Sequence, residues 1–229
     1  MSKEEPYFKR IILKISGESF STLENSKLIS RQIIDAHRMG VEIGIVVGGG
    51  NLMRGKTVTG IDRLIADRIG LISTTINGLF LENLLNKAAN VLHLSAFPIP
   101  GIVESYSQEH ALNCLKSKRL LILSGGTGVL YFTTDTAAAL RAAELEADVI
   151  IKGTKVDGVY SADPKKNPRA IKYDKISYAQ ALNRNLKVMD STAFALCQEN
   201  KITIIIINIF KPHSLKMALA GKKIGSKIC

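Results

Sequence analysis

A β-branched apolar run that ends in three glycines constrains the fold more than any other stretch of this chain. Residues 41–54 read VEIGIVVGGGNLMR. A short apolar run bounded by glycine is typical of a buried strand in a parallel sheet. Gly48, Gly49 and Gly50 carry no Cβ, so the backbone there can approach a bulky anion and offer it N–H groups. Ligands of open α/β sheets bind outside the carboxyl ends of the strands, and we therefore expect the active site at this strand end.

The segments before and after this strand predict an alternation of strands and helices. Residues 8–15 are a predicted strand, and residues 28–39 have the apolar spacing of a helix that Gly40 terminates. Later strands are predicted over residues 90–94, 119–123, 147–151 and 202–210. Later helices are predicted over residues 61–85, 108–116, 137–145, 177–183, 191–199 and 212–219. This order favours a parallel sheet, and because no linker or repeat interrupts it we expect one domain over residues 1–229.

The composition and the cysteines indicate the cellular compartment of the protein. The 229 residues are 46% hydrophobic but contain no run of about 18 apolar residues, so no membrane span is expected. The charged start MSKEEPYFKR is unlike a secretory signal. Cys114, Cys197 and Cys229 are too far apart for a metal-ligand spacing, and their odd number argues against a disulfide framework. We therefore expect a cytoplasmic protein with Cys114 and Cys197 as buried thiols.

The net charge of +11 allows nucleic-acid binding but suits any other anionic ligand as well. The basic residues are spread along the chain, and the aromatic residues, 6% of the total, form no stacking series. A dedicated nucleic-acid module is therefore disfavoured. We interpret the charge as solubility together with attraction of a phosphorylated substrate.

A second glycine-rich strand end follows the predicted strand at residues 119–123. Its sequence is SGGTG, and FTTD follows a few residues later, before an alanine-rich helix. The hydroxyls of Thr127, Thr133 and Thr134 suit contacts with phosphate or ribose. Asp135 has two interpretations from the residues alone: it caps the helix, or it orients lysines or a metal beside the helix N-terminus.

Three further positions have both a structural and a functional interpretation. Lys14, at the end of the first strand, is either a solvated edge lysine or a phosphate ligand. Asp67 is either a solvated helical carboxylate or an acceptor for a hydroxyl-rich ligand. The loop of residues 152–164 contains a hydroxyl, lysines, an aromatic ring and carboxylates. It either holds a nucleoside triphosphate or is a plain hairpin.

Other motifs are disfavoured. Gly50, Gly55, Lys56 and Thr57 match the spacing of a P-loop, but the following Val-Thr-Gly is poor material for starting a helix. His93 is predicted to be a core histidine. The histidines as a set support neither a nucleophile activated by histidine nor a metal site.

Six motifs in order resemble the bacterial UMP (uridylate) kinases of the amino-acid kinase family, over residues 8 to about 225. They are LKISGE at 13–18, VVGGGNLMRG at 46–55, ADRIG at 66–70, SGGTG with FTTDTAA within 124–138, KGTKVDGVYSADP at 152–164 and LKVMD at 186–190. The resemblance implies a three-layer α/β/α sandwich over a mainly parallel sheet, without a P-loop. It also implies transfer of the γ-phosphate of ATP to UMP with Mg²⁺, in pyrimidine nucleotide biosynthesis, by a homohexamer.

The resemblance also implies roles for individual residues. The catalytic residues would be Lys14, Arg54, Asp135 and Lys155. ATP would contact Lys14, Ile15, Ser16, Gly17, Gly50, Arg54, Thr154, Tyr160 and Asp163. UMP would contact Gly49, Asp67, Thr127, Gly128, Val129, Leu130, Tyr131, Phe132, Thr133 and Thr134. The chain departs from the family pattern by a short segment at residues 19–29, and by Val129, Leu130 and Tyr131 where the family often has Asn-Pro-Phe.

Alternative functions remain to be weighed. Another kinase of the same fold would act on a carboxylate or carbamate, but the FTTD run and Asp67 favour a nucleotide acceptor. A nucleotide-binding protein without activity is disfavoured by the presence of Lys14, Arg54 and Asp135. A basic nucleic-acid-binding module is the least favoured of the three.

Overall fold

The computed structural model describes residues 5–52, 60–164, 166–184, 186 and 188–229. The strands are β1 (Arg10–Ile15), β2 (Glu42–Val47), β3 (Val91–Ser95), β4 (Glu104–Ser105), β5 (Leu120–Ser124), β6 (Val149–Thr154), β7 (Val159–Tyr160), β8 (Lys172–Tyr173), β9 (Lys175–Ile176), β10 (Thr203–Asn208) and β11 (Ser226–Ile228). The helices are α1 (Leu23–Arg38), α2 (Arg63–Leu85), α3 (Gln108–Lys116), α4 (Thr134–Glu144), α5 (Tyr178–Asn183), α6 (Ser191–Glu199) and α7 (Ser214–Leu219), and a 3-10 helix covers Gly17–Phe20.

Nine of the described strands form one sheet in the order β4-β3-β5-β2-β1-β6-β10-β11-β9. All neighbouring strands in it run parallel except β10 and β11. The remaining two, β7 and β8, form an antiparallel pair outside the sheet. Central strands such as β1 are buried on both faces, as expected for a parallel sheet covered by helices. In β1 only the first residue, Arg10, is partly exposed.

The helices cover both faces of the sheet, which confirms the prediction of a three-layer sandwich. Alternate residues of β1 separate the two cores: Ile12 packs in the core under α3, α4, α5 and α6. Ile11, Leu13 and Ile15 pack in the core under α1, α2 and α7. Lys14 alternates with Leu13 and Ile15, so it lies on the face that α4 covers.

The chain leaves β1 and β6 towards opposite sides of the sheet. After β1 it passes through α1 on one face to β2, and after β6 it passes through α5 and α6 on the other face to β10. Such a reversal between adjacent parallel strands is where open α/β sheets bind ligands. The topology therefore places the expected crevice at the carboxyl ends of β1 and β6.

Most predicted elements are present, with shifts at their ends. Helices α3 and α6 cover the predicted residues, whereas α1 begins at Leu23, five residues earlier than predicted, after its cap Thr22. The prediction of a basic C-terminal tail missed β11, which pairs with β10 and buries Ile228. The predicted core residues Cys114, Cys197 and His93 are all buried.

By length and composition, α2 is the one described helix that could cross a membrane. Its inner face packs on the sheet and includes the buried polar residues Ser73, Thr74, Thr75 and Asn77. A helix that buries its polar face in the protein is better explained as a core helix of the fold.

Candidate active site

Two lysines and one carboxylate form a cluster at the carboxyl ends of β1 and β6. Lys14 and Lys152 are register partners on the adjacent strands, so their side chains share one face of the sheet. Asp135, from the start of α4, lies between them. Its Oδ1 is 2.8 Å from Nζ of Lys14, and its Oδ2 is 2.6 Å from Nζ of Lys152. Lys152 also donates a hydrogen bond to the carbonyl of Val188. The solvated interpretation of Lys14 is therefore wrong, since its side chain is 9% exposed.

The charges of this cluster depend on one another. Burial favours the neutral form of Asp135, but the charges of Lys14 and Lys152 outweigh it and lower the pKa of that carboxyl to about 2. Burial and the charge of Lys14 lower the pKa of Lys152 to about 8, with Asp135 opposing the shift. The cluster thus carries one negative and two positive charges at neutral pH, and the excess positive charge suits a phosphate.

The start of α4 determines where Asp135 points. Thr133 is the N-cap, and its hydroxyl accepts a hydrogen bond from the backbone N–H of Asp135 at 3.0 Å. The interpretation of Asp135 as the cap is therefore wrong, and its side chain is available for the lysines. Asp190, itself the N-cap of α6, accepts hydrogen bonds from Thr133 at 2.5 Å and from Thr136 at 3.0 Å. The start of α4 is thereby tied to α6.

The first glycine-rich turn packs against the turn that follows β1. A Cβ on Gly48 would lie 2.7 Å from the backbone nitrogen of Gly17, and a Cβ on Gly17 would lie 2.5 Å from that of Gly50. A Cβ on Gly49 would lie 2.8 Å from the carbonyl oxygen of Gly70 in α2. Because such distances are too short for real Cβ atoms, glycine is required for packing here. Contact of this turn with an anion stays a prediction.

Ile15, Ser16 and Gly17 lie beside the lysine cluster. Ile15 ends β1 and is buried, Ser16 is the N-cap of the 3-10 helix, and Gly17 is its first residue. The carbonyl of Ile15 accepts a hydrogen bond from Gly48 at 2.9 Å. The structure therefore brings these predicted ATP-binding residues together with Gly50 next to Lys14. Arg54, like Lys56 and Thr57 of the disfavoured P-loop spacing, lies outside the described residues.

The second glycine-rich turn begins at the buried residues Ser124, Gly125 and Gly126 and leads into a more exposed loop over α2. Gly125, Gly126 and Gly128 have φ values of +75°, +58° and +80°, in the region that favours glycine. Tyr131 is also left-handed, with φ +71°, and its backbone N–H donates to Oδ2 of Asp67 at 2.9 Å. The structure thus joins Asp67 to the predicted UMP loop, defined here as residues 127–134.

The side chains of this loop differ in exposure. Val129, Tyr131 and Phe132 are exposed, whereas Leu130 is half-buried. The Thr127 hydroxyl forms a local turn with Val129, and Thr134 begins α4. An exposed apolar loop next to the lysine cluster could fold over the base or sugar of a nucleotide.

The loop after β6 has contacts on both of its sides. Thr154 ends β6, and its hydroxyl donates to the carbonyl of Val156 at 2.7 Å. Lys155 forms an ion pair with Glu18 at 3.2 Å, which links this loop to the turn after β1. Tyr160, in the β7–β8 hairpin, donates to Asp157 at 2.6 Å. This hydrogen bond, with the charges of Lys172 and Lys211, lowers the pKa of Asp157.

Asp163 lies at the tip of that hairpin. Its carbonyl accepts hydrogen bonds from the backbone N–H groups of Lys166 and Asn167. Residues 159–160 of the loop do belong to a hairpin, but their partner strand β8 lies beyond residue 164, so the plain-hairpin alternative for residues 152–164 stays open. Whether the hairpin also holds a nucleoside triphosphate stays a prediction.

Sequence reasoning assigned no role to Lys152 or Asp190. Lys152 lies within VIIKGT. A single lysine in an otherwise apolar, buried parallel strand is the signal that could have identified it. Asp190 precedes a helix, so it could be identified as a cap, but its bonds to Thr133 and Thr136 join residues 54 and more apart in sequence. No local pattern shows that proximity.

Comparison with known proteins agrees with this geometry. The model of the amino acid kinase family matches residues 9–208. The chain belongs to the amino acid kinase family. The uridylate kinase of Shewanella amazonensis is 41% identical over 234 residues, covering 98% of this chain and 97% of the relative.

Solved structures place the chain in the same group. The crystal structure of UMP kinase from Bacillus anthracis matches with a TM-score of 0.93 at 31% identity, and covers 96% of each chain. The UMP kinase from Ureaplasma parvum matches with a TM-score of 0.90 at 40% identity, covering 96% of this chain and 98% of the other. The predicted amino-acid kinase fold is confirmed.

Proposed function

We propose that this member of the amino acid kinase family is a UMP kinase, which transfers the γ-phosphate of ATP to UMP and gives UDP and ADP. The observation that carries the proposal is the cluster of Lys14, Asp135 and Lys152 between two glycine-rich turns at the carboxyl ends of the strands. Relatives of nearly full length that are named uridylate kinases support the choice of acceptor. The reaction would serve pyrimidine nucleotide biosynthesis in the cytoplasm, in a single domain.

The chemistry requires positioning and positive charge more than a protein nucleophile. A phosphate oxygen of UMP attacks the γ-phosphorus of ATP, the bond from that phosphorus to the β-γ bridging oxygen breaks, and ADP leaves. Negative charge spreads over the transferring group, and Lys14 and Lys152 are placed to stabilise it. Asp135 holds the two ammonium groups side by side, one on each oxygen, and Arg54 and Lys155 would add further positive charge.

The two nucleotides would occupy the two sides of the cluster. The ATP side comprises Ile15, Ser16, Gly17, Gly50, Thr154, Tyr160 and Asp163. The UMP side comprises Gly49, Asp67 and the UMP loop, with Asp67 accepting from a ribose hydroxyl. The hydrogen bond from Tyr131 to Asp67 supports this assignment, since it holds the carboxylate under the loop.

Mg²⁺ is expected to enter with the phosphates of ATP. The described residues include no group of three or more His, Cys, Asp or Glu side chains that could hold a metal, and both oxygens of Asp135 face lysines. This donor set fits a cation held mainly by phosphate oxygens and water, as Mg²⁺ commonly is. When bound, the cation supplies further neutralisation of the phosphate charge.

We also propose that the protein self-associates, with the family's hexamer as the expected form. The outer face of α2 and the start of α1 expose apolar side chains that a single copy leaves in water. These are Leu23, Leu64, Ile65, Ile72, Ile76, Leu79 and Phe80, each between 36% and 52% exposed. A patch of this kind is typical of a protein interface.

The experiment for the activity is ADP release from ATP-Mg²⁺ with UMP, CMP, dUMP, AMP and GMP supplied one at a time. We expect turnover with UMP and little with the purine nucleotides. The Lys14→Ala variant should be inactive, and Lys56→Ala should keep most of the activity. Turnover with none of the nucleotides would contradict the proposal, and activity with a carboxylate acceptor would assign another kinase of this fold.

A further inference from the structure

A buried histidine lies behind the second glycine-rich turn. His93 is in β3, where it is 6% exposed. Its Nε2 is 2.9 Å from Oγ of Ser124, and its Nδ1 is 3.2 Å from Oε2 of Glu82 in α2. The imidazole therefore bridges α2 and the end of β5.

The hydrogen-bond partners of His93 determine which of its ring nitrogens carries the hydrogen. A carboxylate only accepts, so Nδ1 of His93 carries the hydrogen that points to Glu82. Nε2 is then the acceptor, and Ser124 donates its hydroxyl hydrogen to it. The Ser124 oxygen in turn accepts from Thr75, whose Oγ1 is 3.3 Å away. Burial lowers the pKa of His93, with Glu82 opposing the shift, which favours the neutral ring that this arrangement needs.

Helix α2 leaves space for the imidazole ring of His93 at Gly78. A Cβ on Gly78 would lie 2.5 Å from Cε1 of His93 and 2.6 Å from Nε2. The imidazole therefore lies against the bare Cα of α2. A glycine inside a long helix lowers helix stability, and close packing with the ring is a physical reason for it here.

Ser124 connects this network to the loop in front of it. It is the last residue of β5, and its carbonyl accepts from Ala96 at 3.0 Å. The next residue, Gly125, donates its N–H to Oγ1 of Thr74 at 2.7 Å, and the Thr74 hydroxyl donates to Leu71 at 2.6 Å. Side chains of α2 and β3 thus fix the two residues from which the turn and the UMP loop begin.

We propose that His93 is a positioning residue for UMP binding, because its bridge from Glu82 to Ser124 sets the point from which the UMP loop leaves β5. This inference rests on the proposed function. His93 acts through Ser124 and touches neither substrate. The bond to Ser124 is the essential part, and the bond to Glu82 selects the tautomer that accepts from Ser124.

The same three residue types occur in hydrolytic triads, but this site does not fit one. Ser124 is 3% exposed, and its hydroxyl is held between His93 and Thr75. A nucleophile must reach a substrate, whereas this hydroxyl is enclosed. The arrangement fits the fixing of a backbone position.

The test compares His93→Leu, which removes both hydrogen bonds, with His93→Gln, whose amide oxygen can still accept from Ser124. We expect His93→Leu to raise KM for UMP about tenfold, the effect of one or two lost hydrogen bonds, with KM for ATP unchanged. His93→Gln should stay within about twofold of the wild type for both substrates. The matched control is His110→Leu, since His110 also faces a glutamate, Glu104 at 3.6 Å, but lies on α3 and partly exposed.

If His93→Leu does not fold, Ser124→Ala and Thr75→Val test the same chain of hydrogen bonds, with UMP binding measured by calorimetry. Ser124→Ala should weaken UMP binding more than Thr75→Val. An unchanged KM for UMP, an equal rise for both substrates, or unchanged UMP binding by Ser124→Ala would overturn the positioning role. A wild-type protein that does not phosphorylate UMP would instead overturn the proposed function.

Discussion

At the scale of single residues, the site depends on one carboxylate between two buried ammonium groups. Asp135 offsets the repulsion between Lys14 and Lys152, whose side chains are only 9% and 12% exposed and so gain little from solvent. The sequence predicted Lys14 and Asp135 through a resemblance in short motifs. It did not predict Lys152, because its proximity to Lys14 arises from strand register between residues 138 positions apart.

Asp135→Asn should abolish turnover and lower the free energy of unfolding by about 3–5 kcal/mol, because it leaves two buried like charges unpaired. Urea denaturation and ADP release measure the two effects. The control is Glu42→Gln, which weakens the ion pair of Arg10 and Glu42, 2.7 Å long, at the opposite end of β1. That variant should lose stability but keep its turnover, and equal losses of turnover in the two variants would contradict the prediction.

Asp135 also gives the folded protein an acid-dependent stability. Its pKa is about 2 in the fold against an ordinary 3.8, so it stabilises the fold above pH 3.8 and this contribution is lost as the pH falls towards 2. Unfolding measured from pH 5 to pH 2 should therefore show a stability slope that Asp135→Asn reduces. The same slope in both proteins would show that other carboxylates cause it.

Lys152 should give the activity an alkaline limb. Its pKa is about 8 in the free protein, so its positive charge is present below that pH and lost above it, and kcat/KM should fall as the pH rises through 8. Lys152→Arg keeps the charge at all these pH values and should move the limb upward. As the pH rises from 8 to 10.5, the free energy of unfolding should increase through this group, because the unfolded chain binds the proton more strongly than the folded protein does. A limb that stays in place in Lys152→Arg would exclude Lys152 as its cause.

At the scale of elements, α2 connects the two glycine-rich turns. Asn77 donates to the carbonyl of Gly48 at 2.7 Å, and Thr74 accepts from Gly125 at 2.7 Å. Apolar periodicity predicted the existence and approximate ends of this helix. Its buried polar face could not be interpreted from the sequence, because the partners of those side chains lie on turns from β2 and β5.

Substitution of the glycine that follows β5 tests the second turn. Gly125→Ala forces an alanine to φ +75° and puts its Cβ 2.8 Å from the nitrogen of Ala96. We therefore expect the free energy of unfolding to fall by about 1–2 kcal/mol or more, and UMP to bind more weakly. Gly70→Ala in α2, where a Cβ meets no atom within 4 Å, is the control. It should leave stability unchanged or raise it by up to about 1 kcal/mol. Equal stability and UMP affinity in the two variants would contradict the account of this turn.

At the scale of the whole molecule, the sheet order makes one crevice from distant segments. Alternation of strands and helices predicted the parallel sheet and its helix layers. The order of the strands, and hence the meeting of β1 with β6, is set by long-range pairing that no local pattern contains. The exposed apolar face of α2 likewise could not be predicted, because the sequence does not show which side of the helix packs on the sheet.

Self-association should depend on that exposed face. Ile76→Asp should shift the protein to smaller species in light scattering, with little change in monomer stability, because Ile76 is already 51% exposed. Ile102→Asp, at an isoleucine that is 62% exposed and lies outside α1 and α2, is the control and should leave the assembly unchanged. A monomeric wild type, or an unchanged assembly of Ile76→Asp, would contradict the proposed interface.

The central claim is that the cluster of Lys14, Asp135 and Lys152 supports direct transfer of a phosphoryl group from ATP to UMP. The most direct measurement follows the label from γ-phosphate-labelled ATP in the presence of UMP, for the wild type and for Lys14→Ala. We predict labelled UDP in the wild type, in amounts equal to the ADP formed, and none in Lys14→Ala. Label that appears only in inorganic phosphate, or labelled UDP formed equally by both proteins, would contradict the account.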